Sequence, residues 1–282
     1  MVWQPRPNDR FYRFMVRIGL TLRALFRVRV IITGQEHLPA PAPLHGASRR
    51  VTPGEGAVVA ITHFGYLDFA FAALVLWDRA RAQLRFLITQ GAADHWLAGP
   101  AISAAGQVVV PYGPGSGAYA AAVAKLRAGE FIAVLPEAGV SRSFTVRECK
   151  TGAVRMAAEA NVPIIPVSVW GAHRLMTRGH GFSPLRAWRA PVRVHVGRPV
   201  PPAGLPAPDL DARPATEKLR RILQDGIDTA TADFPLAPAP GAWWMPAHLG
   251  GSAPTDAERQ RLDQAEGPRR QGGRRLKRAD PR

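Results

Sequence analysis

Seven short β-type runs, most of them apolar and most separated by helical stretches, constrain this chain more than any other feature. They are Val30–Thr33, Ala57–Ile61, Leu84–Ile88, Val108–Val110, Phe131–Leu135, Ile164–Val169 and Val192–Val196. Runs without polar alternation belong to strands that are covered on both faces. The segments Leu67–Trp77, about 91–105, Ser116–Ala128 and Thr151–Ala160 carry helical patterns and supply that cover, and a last helix is expected around 214–232. The expectation is an α/β fold: a mostly parallel central sheet with helices on both faces. With 282 residues, 46% of them hydrophobic, the chain can bury a core of its own.

The ends read differently from this middle. Over residues 10–29, Phe11, Phe14, Met15, Ile18, Leu22, Leu25 and Phe26 recur at three- and four-residue steps, with arginines around the rest of the helix. That pattern suits either an interfacial helix on anionic lipid or a helix packed on its own domain. Residues 235–254 are rich in Pro and Gly around Trp243-Trp244-Met245, and the polar, Arg-rich tail from about 255 is expected to be disordered. The expected division is 1–29 as an amphipathic membrane-facing helix, 30–234 as the main domain, and 235–282 as a Pro/Gly-rich segment with a basic tail. A formal net charge of +16 calls for an anionic partner: lipid headgroups, nucleic acid or a phosphorylated substrate. No nucleic-acid motif is present, which favours the first and third. The one cysteine, Cys149, allows neither an internal disulfide nor a Cys-based metal cluster. The histidines lack metal-ligand spacing, so no metal is expected. Neither a signal peptide nor a membrane-spanning window is evident; a chain like this would lie on a membrane rather than cross it.

In open α/β sheets, ligands bind beyond the carboxyl ends of the strands. After Ala57–Ile61 comes Thr62-His63-Phe64-Gly65-Tyr66-Leu67-Asp68. A turn at Gly65 can bring the Asp68 carboxylate to one imidazole nitrogen of His63 and leave the other to take a proton from a hydroxyl. The alternative is a helix-capping Asp68 and a satisfied loop histidine. After Phe131–Leu135 come Pro136-Glu137-Ala138-Gly139-Val140-Ser141-Arg142-Ser143, then Arg147 and Lys150. Here Arg142, Arg147 and Lys150 suit a phosphate, with Glu137 ordering them or binding an acceptor hydroxyl. After Val108–Val110, the turn containing Tyr112 and Gly113 opens a helix whose free N–H groups favour anions. Val162-Pro163-Ile164-Ile165-Pro166 is a strand flanked by prolines.

Four such blocks in this order resemble the glycerolipid acyltransferase family, whose best-known members are lysophosphatidic acid acyltransferases. The blocks are His63 to Asp68, Gly106 to Tyr112, Leu135-Pro136-Glu137 to Ser143, and Val162 to Pro166, and the resemblance spans about residues 30–200. Thr62 stands where the family has Asn, Ala138-Gly139-Val140 where it has Gly-Thr-Arg, and Pro111-Tyr112 where it carries a phosphate-binding Arg.

The resemblance implies transfer of a fatty acyl group from acyl-CoA or acyl carrier protein to a lysophospholipid hydroxyl. The first candidate reaction is 1-acylglycerol-3-phosphate to phosphatidic acid. His63 would be the general base and Asp68 its orienter, with no cofactor. Glu137, Gly139, Ser141, Arg142, Lys150, Tyr112 and Gly113 would bind substrate, and backbone N–H groups near Gly65 or Gly139 would hold the oxyanion. The expected location is the cytoplasmic face of the cell membrane, peripheral, on anionic lipid. Two other readings stay open: transfer to a different lipid acceptor, and a basic membrane- or nucleic-acid-binding protein without catalysis. A Ser-His-Asp hydrolase is disfavoured, because no G-x-S-x-G elbow is present.

Overall fold

The computed structural model describes residues 9–39, 53–90, 94, 104, 107–110 and 116–265. Among them seven strands form one sheet: β1 (Arg29–Thr33), β2 (Ala57–Ile61), β3 (Leu84–Thr89), β4 (Val108–Val110), β5 (Phe131–Val134), β6 (Ile164–Trp170) and β7 (Pro191–Val196). Their order is β1-β7-β6-β2-β5-β3-β4. Every neighbouring pair runs parallel except β6 and β7. The helices are α1 (Asp9–Leu25), α2 (Asp68–Ala80), α3 (Ser116–Arg127), α4 (Gly152–Ala160), the single turn α5 (Pro184–Ala187) and α6 (Arg213–Ala232), followed by α7 over residues 256–265. The helical pattern at 91–105 falls almost wholly outside the described residues.

Two compact units result. The first draws on residues 1–140 and 146–235 and holds the sheet with α1 to α6; the second draws on 141–145 and 236–282 and holds α7.

The sheet has the two covered faces that its apolar runs demand. On one face, Val59, Ile61, Val167, Val169, Val192 and Val194 pack with Phe71, Val75 and Leu76 of α2. Residues of intervening parity serve the other face, where the Ser168 hydroxyl donates to the Leu223 carbonyl of α6 at 2.8 Å and α4 packs on β2 and β6. Each Val or Leu sealed in this way contributes about 1.5–3 kcal/mol. A charge at Val59, whose exposure is 0%, would have no partner on either side.

Helix α1 joins the first face along a narrow stripe. Tyr12 and Val16 pack on Trp77 and Leu74 of α2, and the Tyr12 hydroxyl accepts the Leu84 N–H at 3.0 Å. Phe14, Met15, Ile18, Leu22 and Leu25 stay exposed. The helix stops at Leu25 rather than 29. Arg27 takes a left-handed backbone, φ 52°, and Arg29 already pairs with Pro191 in the sheet; the β-branched run from Val28 to Ile32 favours strand over helix.

In the second unit the expectation of a disordered tail fails for residues 256–265, which form α7. A reciprocal capping box starts this helix. The Thr255 N–H donates to the Glu258 carboxylate at 2.8 Å, and the Glu258 N–H donates to the Thr255 hydroxyl at 3.3 Å. Trp244 and Met245 are buried, and Trp243 meets Phe144 edge-on at 6.4 Å. The Trp-Trp-Met run is therefore a packing knot of this unit.

Candidate active site

Parallel pairing places the site. Strand β2 lies between β5 and β6, in register Ala60↔Val134 and Ala60↔Pro166. Three strand ends therefore deliver their loops to one edge: 62–68 from β2, 135–140 from β5, and 171–177 from β6.

The 62–68 loop is built on its own carboxylate. One oxygen of Asp68, Oδ2, accepts the Phe64 and Gly65 N–H groups at 2.6 and 2.7 Å. Asp68 is fully buried at the start of α2. Thr62, which is also fully buried, anchors the loop to β6 by accepting the Val169 N–H at 2.9 Å. The backbone of 171–177 backs the turn. A Cβ on Gly65 would stand 2.7 Å from the Cα of His173, and the Thr177 hydroxyl donates to the Phe64 carbonyl at 2.5 Å. Only glycine fits at 65, because what it faces is backbone.

Glu137 ties two stretches of main chain together. Its side chain is 2% exposed and acts as a strut between backbones. Oε1 accepts the His63 N–H at 2.7 Å, and Oε2 accepts the Arg147 N–H at 3.0 Å. The carboxylate thus fixes the main chain that carries the imidazole.

Asp68 differs in detail from its expected role. Nδ1 of His63 and Oδ1 of Asp68 are both buried, and neither has a hydrogen-bond partner, so the expected ring–carboxylate bond is not closed in this structure. Burial is the first cause of both charge shifts here. It lowers the His63 imidazole to about 4; the Gly65 backbone opposes this, and the Arg147 charge adds to it. It raises the Asp68 carboxyl well above the ordinary range against the Gly65 and Phe64 N–H groups, with the Glu137 charge adding. At pH 7 the imidazole is therefore uncharged and able to accept a proton.

Arg147 is the cation of this cluster. Its Nη1 lies 3.1 Å from where a Gly139 Cβ would be. Sequence reasoning grouped Arg147 with other basic residues but had no means of pairing it with the imidazole. Ala138, between Glu137 and Gly139, sits in a left-handed backbone, φ 52°, where a Cβ costs about 1–2 kcal/mol.

The remaining expected residues scatter. Lys150 is exposed; its N–H donates to the Pro136 carbonyl at 2.8 Å. Tyr112 and Gly113 lie outside the described residues. Ser141 and Arg142 belong to the second unit, where Arg142 approaches Asp263 at 3.9 Å. In the same unit Ser143 and Thr145 donate to one Asp256 oxygen at 2.9 and 2.8 Å. Of the two oxyanion candidates, the Gly65 N–H is already committed to Asp68. Burial first, then the Glu137 charge, push the Cys149 thiol up to about 12, opposite to the lowered value that favours a nucleophilic thiolate. Among the described residues no group of three His, Cys, Asp or Glu side chains could hold a metal ion.

Two apolar cavities flank the start of α2. One, of about 460 Å³, is lined by Val16, Phe69, Ala70, Phe86, Ile88 and Leu135 among others. The second, of about 520 Å³, is lined by Leu22, Phe26, Leu67, Phe71, Met176 and Phe182 among others. Phe69 of the first and Leu67 of the second are the chain neighbours of Asp68.

The site can therefore hold a neutral, half-buried imidazole on a rigid main chain, close to a carboxylate and a guanidinium. Against known proteins, the Acyltransferase family matches residues 29–170. No curated protein matches. Among solved structures, the 1-acyl-sn-glycerophosphate (LPA) acyltransferase PlsC from Thermotoga maritima superposes with a TM-score of 0.61 at 18% identity, over 80% of this chain and 81% of that one. That likeness is one of fold.

Proposed function

The chain belongs to the acyltransferase family, and from that premise we propose that His63 is its general base and the acceptor a lysophospholipid hydroxyl. The hydroxyl oxygen attacks the carbonyl of an acyl thioester as its proton passes to the free imidazole nitrogen. The C–S bond then breaks, the thiolate leaves, and the proton on the ring passes to it. The products are an ester and a thiol, and no covalent enzyme intermediate, metal or cofactor is involved. Asp68 steadies the imidazolium once Nδ1–H and Oδ1 close on each other. Arg147 stands near the charge that develops on the carbonyl oxygen. The acyl donor is acyl-CoA or acyl carrier protein, and its chain occupies the apolar space beside α2.

The observation that carries this reading is that Nδ1 of His63 and Oδ1 of Asp68, carried by one short loop, are both buried and both without a hydrogen-bond partner. The test is His63→Ala in the full chain, assayed with acyl-CoA and 1-acylglycerol-3-phosphate. Base catalysis of this kind is worth roughly 100- to 10,000-fold, so the rate should fall by at least ~100-fold while vesicle binding persists. Activity within a few-fold of the parent would overturn the assignment.

A phosphate-bearing acceptor giving phosphatidic acid is the first candidate. A different lipid acceptor is favoured by two observations: Pro111-Tyr112 replaces the family's Arg, and Ser143, Thr145 and Arg142 already face Asp256 and Asp263. A panel of lysolipids offered with one acyl-CoA separates the two.

The same reading puts the protein on the cytoplasmic face of the cell membrane, where a soluble thioester and a lipid acceptor meet. No described helix is long and apolar enough to cross a bilayer. The exposed Phe14, Met15, Ile18, Leu22 and Leu25 of α1, among arginines, suit the plane of an anionic surface.

A further inference from the structure

The loop between β6 and β7 holds apolar side chains out of the protein in a way that its fold does not require. Leu185 is 90% exposed, Trp188 52% and Phe182 48%. Flexibility does not explain this, because the loop is stapled at its base. Ala187 and Ala190 are buried in the core. The Arg186 guanidinium donates to the Arg174 carbonyl at 3.1 Å and to the Gly181 carbonyl. The Arg189 N–H donates to the Phe26 carbonyl at 2.8 Å. These bonds keep Phe182, Leu185 and Trp188 outward on a fixed base.

The stapled loop is continuous with the end of α1. Phe182 meets Phe26 edge-on at 5.5 Å, and Arg27 lies over the Trp188 ring at 5.4 Å. Phe26, Phe182 and Ala187 also line the cavity of about 520 Å³. The charged residues of the loop and of the α1 segment it meets have one sign. Residues 171–190 contain Arg174, Arg178, Arg186 and Arg189, and residues 10–35 contain six arginines; neither stretch has an Asp or Glu. An apolar tip on a loop whose charged residues are all cations fits an anionic bilayer, which offers hydrocarbon below a layer of phosphate.

We propose that the 178–189 loop is a second membrane-insertion element, in which Leu185, Trp188 and Phe182 enter an anionic bilayer beside the end of α1. This sets the mouth of the adjoining cavity against the lipid, so the acyl chain of the lysophospholipid acceptor passes sideways from the bilayer into the protein. The proposal rests on the membrane reading above and adds to it a site that α1 alone would not require.

The test uses the purified full chain and vesicles of phosphatidylcholine with or without phosphatidylglycerol. Leu185→Asp changes an exposed side chain and should weaken partitioning into the anionic vesicles by ~10-fold or more. Leu210→Asp, at a position 61% exposed before α6, should stay within about twofold of the parent. A polarity-sensitive dye on Leu185→Cys should shift to the blue when anionic vesicles are added, and the same dye on Leu210→Cys should not. Both cysteine variants are made in a Cys149→Ser background, so that the dye has one site. If Leu22→Asp abolishes partitioning while Leu185→Asp leaves it unchanged and the dye at 185 reports water, the loop proposal is overturned and the α1 reading stands. If the parent chain ignores anionic vesicles altogether, both fall.

Discussion

His63 owes its chemistry to burial, and burial dictates how its activity responds to acid. With the folded pKa near 4, against an ordinary value near 6.5, the neutral form that accepts a proton survives through the mildly acidic range. It is lost only as pH falls through about 4. The acid limb of kcat/KM should therefore lie near 4, and a limb near 6.5 in the pH–rate profile would contradict the buried site. The same shift affects stability. An unfolded chain takes up the His63 proton before the folded one does, so this contribution is full above about 6.5 and fades as pH falls toward 4; Asp68, shifted the opposite way, partly offsets it. Glu137 makes a sharper prediction. Glu137→Gln keeps the size but leaves one of two backbone N–H donors, His63 or Arg147, facing an amide NH₂. The buried donor costs about 1–3 kcal/mol, read as a lower urea midpoint, with kcat falling as the His63 main chain shifts. An unchanged midpoint would mean that the strut carries nothing.

Among the elements, α7 is the one whose existence hangs on a cap. It follows a Pro/Gly-rich stretch, and the Thr255–Glu258 box supplies its first hydrogen bonds. Thr255→Ala should cost about 1 kcal/mol and speed amide exchange over 256–265 by roughly fivefold, leaving the sheet protected. Equal speeding across the sheet would show that the two units open together. The Thr-x-x-Glu spacing was there to be read, yet the Arg-rich composition of the tail spoke louder. The β-strands posed no such conflict. Continuous apolar runs give their location directly, and β2 begins and ends where its run does, at Ala57 and Ile61. The end of α1 was harder, because apolar periodicity continues through Phe26 while the left-handed Arg27 has already broken the helix.

For the whole molecule, the residues legible in advance were those that a strand end must deliver: His63, Asp68 and Glu137 do meet at one edge. What each side chain grips was not legible. That depends on parallel register placing β5 beside β2, which sets the Glu137 carboxylate between the His63 and Arg147 backbones. The exposure of Leu185 was equally hidden, since a single helical turn has no period to detect. The Asp256 contact also bears on how this protein can be handled. Trimming the chain at the Pro-rich run after α6 looks harmless on paper, yet it removes the one acceptor that Ser143 and Thr145 share. A shortened version would carry an altered Ser141–Thr145 segment into every assay, and any change in substrate preference it showed would belong to the cut and not to the enzyme.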